Sequence, residues 1–319
     1  MEFFDMSELS TAKLPHQQQV AAARQRRPLN LRQNLEGYLF ASPWLIGFFI
    51  FTLGPFIAAF WISLHSWDIL TPMRFIGINN YRILWQDPLF WASLKVTLTY
   101  AAVALPLQLG LALLLAMLVN GKTFVNYAFR AVFFLPAVCS GVATAILWRW
   151  MLNPEFGLIN FGLRTVGVAA PPWLSSTQWA LPAIMLMSLW GVGSTMLIYL
   201  AGLQSIPEHL YESAAIDGAN RFTRFRHITL PMMSSTIFFT FIIGIINSFQ
   251  IFTQVYVLTD GGPDNSTLFY VLYMYQRAFQ AFKMGYASAL AWVLFLLVLV
   301  ITLIQFKLAG RWVYYETEA

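Results

Sequence analysis

Six stretches of the chain, residues 38–64, 96–119, 131–148, 179–203, 232–257 and 284–306, contain no Asp, Glu, Lys or Arg. A helix rises about 1.5 Å per residue, so roughly 20 apolar residues cross about 30 Å of hydrocarbon, the scale of each stretch. Pro43, Pro55, Pro106, Pro136 and Pro182 fall in or at the edge of these stretches. Prolines would interrupt strands, whereas in a membrane neighbouring helices can re-satisfy the carbonyls that a proline frees. The stretches are also apolar on both parities, without the roughly ten-residue alternation of an outward-facing barrel strand. The predicted class is all-α, a polytopic transmembrane helical bundle of six spans.

The charge content points the same way. Only 10% of residues are charged and 58% are hydrophobic, against about a quarter charged in soluble domains, so a large soluble helical protein would expose broad apolar patches. The net charge of +5 does not signal nucleic acid, because the basic residues lie at the ends of apolar runs rather than on one polar face. With the N-terminus inside, twelve Lys and Arg fall in cytoplasmic connections, and five (Arg74, Arg82, Arg164, Arg277 and Lys283) fall outside. The excess predicts a multi-pass inner-membrane protein with both termini cytoplasmic. Residues 1–37 read as a mobile tail, dispensable at least through residue 30, and residues 309–319 as a short cytoplasmic tail. The 38–64 stretch is longer than the apolar core of a cleavable signal and reads as an uncleaved first helix. The single cysteine, Cys139, excludes an intrachain disulfide and reads as a small buried apolar side chain.

Residues 204–231, between the fourth and fifth stretches, are the most informative segment. Pro207 suits a first helical turn, and Glu208 and Glu212 favour the positive end of a helix. Asp217-Gly218 interrupts that helix, since Gly218 can take a positive φ. Phe222, Phe225 and Ile228 then recur with a spacing that gives a second short helix one apolar face, and Pro231 closes the unit. The expectation is a cytoplasmic helix-turn-helix knuckle.

Glu212-Ser213-Ala214-Ala215-Ile216-Asp217-Gly218-Ala219, followed by Phe225, Ile228, Leu230 and Pro231, resembles the EAA loop of binding-protein-dependent ABC importers. The family usually has alanine where this chain has Ser213. The resemblance implies that this segment is a coupling helix docking in a cleft of an ATP-hydrolysing subunit, with Glu212, Ser213, Ala214, Asp217, Gly218, Ala219, Phe225 and Pro231 as coupling residues. Further similarity from about Tyr38 to Leu308 points to the maltose-transporter type of permease, in the carbohydrate-uptake class. It is carried by Phe75-Ile76-Gly77-Ile78-Asn79-Asn80-Tyr81, Leu135-Pro136 with Trp148-Arg149-Trp150, Gly157-Leu158-Ile159-Asn160, and Leu258-Thr259-Asp260-Gly261-Gly262-Pro263. What it implies is a type I ABC importer permease fold with a permease domain at 92–308, and assembly with a second homologous permease, two ATPase subunits and an extracytoplasmic solute-binding protein. ATP and Mg would be bound by the partner ATPase, with no cofactor in this chain.

Gly121-Lys122-Thr123 is not a phosphate loop, because Ala116 stands where the motif needs glycine. The four histidines are too dispersed for a metal site, and no catalytic constellation is visible, so the chain is not expected to be an enzyme. Ion-coupled carriers place ionisable groups deep in their spans. These stretches have none, which disfavours an ATP-independent secondary transporter and favours a neutral solute. A polyol phosphate remains an alternative if Arg149 faces the cavity, as does an osmolyte.

The solute is expected against the fifth stretch. At helical spacing Thr240, Ile243, Gly244, Asn247, Gln250, Ile251 and Gln254 share one stripe, and amides are costly against lipid. Asn247, Ser248 and Gln250 would bond solute hydroxyls. Trp190, Ser194 and Thr195 would join them from the fourth stretch, where Gly191 and Gly193 leave room, and the Trp190 ring would offer a face for a sugar. The competing reading is that these amides hold helices together.

Overall fold

The computed structural model describes residues 31–310 and 312–314; residues 1–30 of the predicted 1–37 tail and residues 315–319 lie outside them, while 31–37 is not tail but the start of the helix Leu31–Phe48. The described residues are mostly helical, with one two-stranded antiparallel hairpin pairing His65 with Phe75 and Ser66 with Arg74. Contacts divide the chain into a first unit ending at Ala58 and a second from Ala59 onward. The first holds the helix Leu31–Phe48, continued by a π turn at Phe49–Leu53, and Trp44 stacks on Phe48 within it.

Three helices are long and apolar enough to cross a bilayer unbroken: Gly37–Ser63, Pro88–Leu118 and Met284–Ala309. They coincide with the first, second and sixth predicted stretches. The other three stretches are interrupted. Phe124–Val138 and Gly141–Met151 meet at 99°, Ala180–Leu189 and Gly193–Ser205 at 44°, and Arg221–Met232 and Ser234–Phe249 at 63°, so the chain has up to six spans if each bent pair counts as one.

Each interruption has a local cause. After Pro136, Cys139 and Ser140 adopt ψ of 143° and 136°, outside the helical range, before the helix restarts at Gly141. In the fourth stretch the break is at Trp190–Val192, beside two glycines. In the fifth, Pro231 lacks an N–H and its ring crowds the carbonyl four residues back. The preceding Phe225–Thr229 segment widens into a π turn, and the bend follows at Met233. Pro231 therefore sits inside a helical stretch, where the sequence predicted that it would close the knuckle. Pro106, by contrast, lies within an unbroken 31-residue helix.

The second unit holds two main clusters of buried side chains. One gathers Phe90, Phe249, Phe269, Tyr270 and Tyr273; the other gathers Met196, Tyr199, Leu203 and Met233. Tyr270 of the first cluster is paired through both its backbone and its hydroxyl, as a low-dielectric interior favours, whereas the buried Trp148 indole N–H has no hydrogen-bond partner among the described residues. The Tyr270 N–H donates to Thr97 Oγ1 (3.0 Å) and its hydroxyl to the Leu290 carbonyl (2.8 Å). The second span starts at a cap, where the Asp87 carboxylate accepts from the Leu89 N–H (2.9 Å) ahead of Pro88, a favoured helix start.

Candidate functional site

Between the broken helices lies a cavity of about 570 Å³. Tyr100, Ile184 and Met187 of the first cluster and Leu109 of the second form part of its wall. The six residues picked out for solute contact, Trp190, Ser194, Thr195, Asn247, Ser248 and Gln250, all line it. None of its lining residues is charged.

The helix breaks decide how these side chains arrive there. The fifth-stretch helix ends at Phe249, not near residue 257 as the sequence suggested, and restarts at Thr253. Gln250, Ile251 and Gln254 therefore do not extend a single helical stripe. They reach the same cavity through the unwound turn, alongside Thr240, Ile243, Gly244 and Asn247. No hydrogen bond ties the Asn247 or Gln250 side chain to another described residue. Ser248 is different: it is buried, and its hydroxyl donates to the Gly244 carbonyl at 2.8 Å.

On the opposite wall Trp190 is about half-exposed and meets Trp148 edge-on, with centroids 5.9 Å apart. Gly191 borders the cavity with nothing nearer than 3.9 Å to an added Cβ, as expected of a residue that leaves room. Gly193 does something else. A Cβ there would lie 2.2 Å from the Phe133 carbonyl oxygen, so this glycine permits close helix packing rather than solute access. Cys139 is exposed at the third-stretch break and lines the cavity, contrary to the buried position expected of it. Arg149 does not line the cavity; its guanidinium reaches toward the Val257 carbonyl (3.5 Å).

Sequence reasoning missed Gln108, Ser188 and Thr144, which also line the cavity. Gln108 was legible: it is the only carboxamide in the 96–119 stretch, and the argument applied to the fifth stretch applies equally to it.

The 204–231 segment folds as two short helices, Glu208–Ile216 and Arg221–Arg224, the second running on into the π turn. The first ends in a Schellman cap, with the Ala219 N–H on the Ala214 carbonyl (2.9 Å) and the Gly218 N–H on the Ala215 carbonyl (3.1 Å). Gly218 takes φ +77°, the left-handed conformation that favours glycine. Asn220 caps the second helix by accepting from the Thr223 N–H (2.8 Å), and Tyr211 and Thr229 join the two helices through their hydroxyls (2.9 Å).

Glu212, Ser213, Asp217 and Gly218 are exposed, whereas Ala214, Ala219, Phe225 and Pro231 are half-buried. The π turn changes the phase that the even spacing of Phe222, Phe225 and Ile228 assumed. Ile228, like Leu210 and Tyr211, packs against the second buried cluster, but Phe222 is left 69% exposed and Ile216 88% exposed.

Residues 108–313 match the family described as "Binding-protein-dependent transport system inner membrane component". A probable ABC transporter permease protein, YesP, of Bacillus subtilis strain 168 is 43% identical over 292 residues, covering 90% of this chain and 94% of its own. The lactose transport system permease protein LacF of Rhizobium radiobacter is 36% identical over 295 residues, covering 90% and 98%. A solved chain from a bacterial alginate ABC transporter, in complex with an alginate pentasaccharide-bound periplasmic protein, superposes with a TM-score of 0.79 at 26% identity, covering 88% of this chain and 96% of that one.

Proposed function

The chain belongs to the family of binding-protein-dependent transport system inner membrane components, and on that premise we propose that its cavity passes a neutral sugar or oligosaccharide through an ABC importer. The observation that carries the reading is the wall itself: the Asn247 and Gln250 amides, which bond no other described side chain or backbone group, and a half-exposed Trp190 around about 570 Å³, with no charged side chain among the described lining residues. A sugar offers hydroxyls to the amides and an apolar ring face to the indole, and such a wall has no counter-charge for an ionised solute. The names of the relatives support a carbohydrate, among them lactose, trehalose/maltose and arabinooligosaccharide permeases. Arg149, the residue on which a phosphorylated polyol depended, lies off the cavity.

In this reading the chain crosses the inner membrane six times, each bent pair serving as one span, with both termini cytoplasmic. The permease domain spans 92–308. A second homologous permease completes the pathway, a solute-binding protein delivers from outside, and two ATPase subunits bind ATP and Mg. Glu212, Ser213, Asp217 and Gly218 face the ATPase cleft. Ala214, Ala219, Phe225 and Pro231 hold the knuckle that presents them.

Cys139 provides a test in the assembled transporter, because it is the only cysteine of the chain and it lines the cavity. Reconstituted transporter is offered labelled lactose, maltose, trehalose and arabinobiose with ATP, and alkylation of Cys139 is followed in parallel. Uptake of at least one sugar, with slower Cys139 alkylation in its presence, is expected. Uptake of none of them, or uptake that leaves alkylation unchanged, overturns the assignment of this cavity.

A further inference from the structure

The strongest unassigned feature is an amide whose orientation the surrounding chemistry fixes. Gln108, in the Pro88–Leu118 helix, places its Nε2 2.8 Å from Ser188 Oγ and 3.1 Å from Tyr100 Oη. Ser188 Oγ also lies 2.6 Å from the Met185 carbonyl, which can only accept. The single hydroxyl proton of Ser188 is therefore committed to Met185, and toward Gln108 the serine oxygen can only accept. A carboxamide turned the other way would put its oxygen against that lone pair. The NH₂ group must face Ser188, and its two hydrogens serve Ser188 and Tyr100.

This leaves the carbonyl oxygen. Gln108 Oε1 has no hydrogen-bond partner among the described residues, yet it is not one of their fully buried unpartnered atoms. It belongs to a residue of the cavity wall. An amide such as Asn247, with no hydrogen bond to another described residue, can rotate to donate or accept, whereas turning Gln108 loses its bond to Ser188 and sets two acceptor oxygens against each other.

We propose that Gln108 is a further solute-contacting residue, locked by Ser188 and Tyr100 as a one-way acceptor for a single solute hydroxyl. The proposal rests on the carbohydrate reading of the cavity. It assigns the second span a share of the selectivity. An ether oxygen, a fluorine or a missing hydroxyl at the solute position facing Gln108 leaves Oε1 without a donor, and the transporter discriminates against it. Ser188 acts as a positioning residue: without its oxygen the carboxamide can rotate and present its NH₂ instead.

The test uses the complete reconstituted transporter with its solute-binding protein saturated, so that the affinity of that protein does not enter. Whichever of lactose, maltose, trehalose and arabinobiose the wild type carries is compared with its monodeoxy and monofluoro analogues. At one position the wild type should carry the deoxy and fluoro analogues about three- to tenfold more slowly than the parent, the worth of one neutral hydrogen bond. Gln108→Leu should abolish discrimination at that position alone. Ser188→Ala should weaken it there while keeping the other positions unchanged, which a general packing defect would not do.

Because Gln108→Leu can also fail to assemble, Gln108→Glu is run beside it. In its neutral form, which an uncharged wall favours, the new carboxyl donates its O–H to Ser188 and keeps its carbonyl oxygen as the acceptor, so discrimination should survive in that variant. Equal discrimination by wild type and an assembled Gln108→Leu transporter overturns the Gln108 assignment and leaves the carbohydrate reading standing. Transport of none of the four sugars by the wild type overturns both. Loss of discrimination in Gln108→Glu also counts against the acceptor role.

Discussion

The cavity and the knuckle at residues 204–231 both border interrupted helices, and they leave opposite kinds of group without a match among the described residues. At the cavity the breaks near Gly191 and after Phe249 leave Asn247 and Gln250 in an uncharged wall, their side chains without a hydrogen bond to another described residue. At the knuckle the Schellman turn and the π turn set Ile216 and Phe222, 88% and 69% exposed, on a surface whose neighbours include Asp217 and Arg221. Unpaired amides inside a bundle call for a polar ligand, whereas exposed apolar side chains beside charges call for an apolar groove in another protein. In the proposed reading the same backbone device serves two recognition problems, and the side chains it exposes distinguish them.

The largest expected effect is at the knuckle. Gly218→Val forces a β-branched residue into φ +77°, a conformation that costs L-residues about 1–2 kcal/mol, or roughly 5- to 30-fold in an equilibrium. No atom of the described residues lies within 4 Å of an added Cβ, so the strain is conformational and the chain should still reach the membrane. Uptake and solute-stimulated ATPase activity should fall together by about that factor. Normal values for both would break the assignment of this surface to an ATPase.

A pair of glycines separates packing from access within the cavity wall. Gly193→Ala drives its methyl to 2.2 Å from the Phe133 carbonyl, and overpacking of this kind costs roughly 1–3 kcal/mol. Less assembled complex should be recovered on purification. Gly191→Ala meets nothing closer than 3.9 Å and should assemble like the wild type. Equal recovery of the two variants would contradict the division between a packed and an open glycine.

Much of this contrast was legible in the chain, and the exceptions have physical reasons. The unbroken spans follow from apolar length alone, and Gly218 from the need for a left-handed turn between Asp217 and Ala219. The breaks were less visible, because proline has no fixed consequence in a helix bundle. Pro106 leaves its helix intact, whereas Pro136 precedes a 99° bend. Phe222 was misplaced for a related reason: even spacing predicts a common face only while the helical period holds, and the π turn changes it. Gln108 was overlooked because no periodic stripe marked it. Its role comes from Ser188, 80 positions away, a contact that only the fold supplies.

A smaller effect is expected at Asn247, whose side-chain amide has no hydrogen bond to another described residue. Asn247→Ala should assemble normally while weakening the apparent affinity for the carried sugar by about three- to tenfold, the value of one hydrogen bond. Reduced assembly with unchanged uptake per complex would instead make the amide a helix-packing group. Gln250→Ala extends the same measurement beyond the helix end.

The smallest effect at neutral pH is expected where a polar cluster is complete in itself. Just before the second span, Asp87 Oδ2 accepts from the hydroxyls of Tyr273 and Tyr286, with the Arg277 guanidinium 3.9 Å away. Burial alone would raise the Asp87 pKa, but the bonds from Tyr273, Tyr286 and the Leu89 N–H, together with Arg277, outweigh it and hold the carboxyl below its ordinary value of 3.8. A carboxylate depressed in the folded state contributes stability that is fully present above the unfolded value and is lost as pH falls through the folded one. Asp87→Asn should therefore lower the unfolding temperature of the purified complex near neutral pH by roughly 2–4 °C for each kcal/mol lost. The gap between the two proteins should begin to narrow as pH falls below 3.8 and close as it falls through the lower folded-state value, where wild-type Asp87 itself takes up a proton. Sugar selectivity and ATPase coupling should not change, because every group in this cluster already has its partner within the chain. A change in either, with assembly intact, would mean that internally satisfied polar groups also take part in recognition, and the contrast between cavity and knuckle would no longer separate the regions of this protein that need a partner from those that do not.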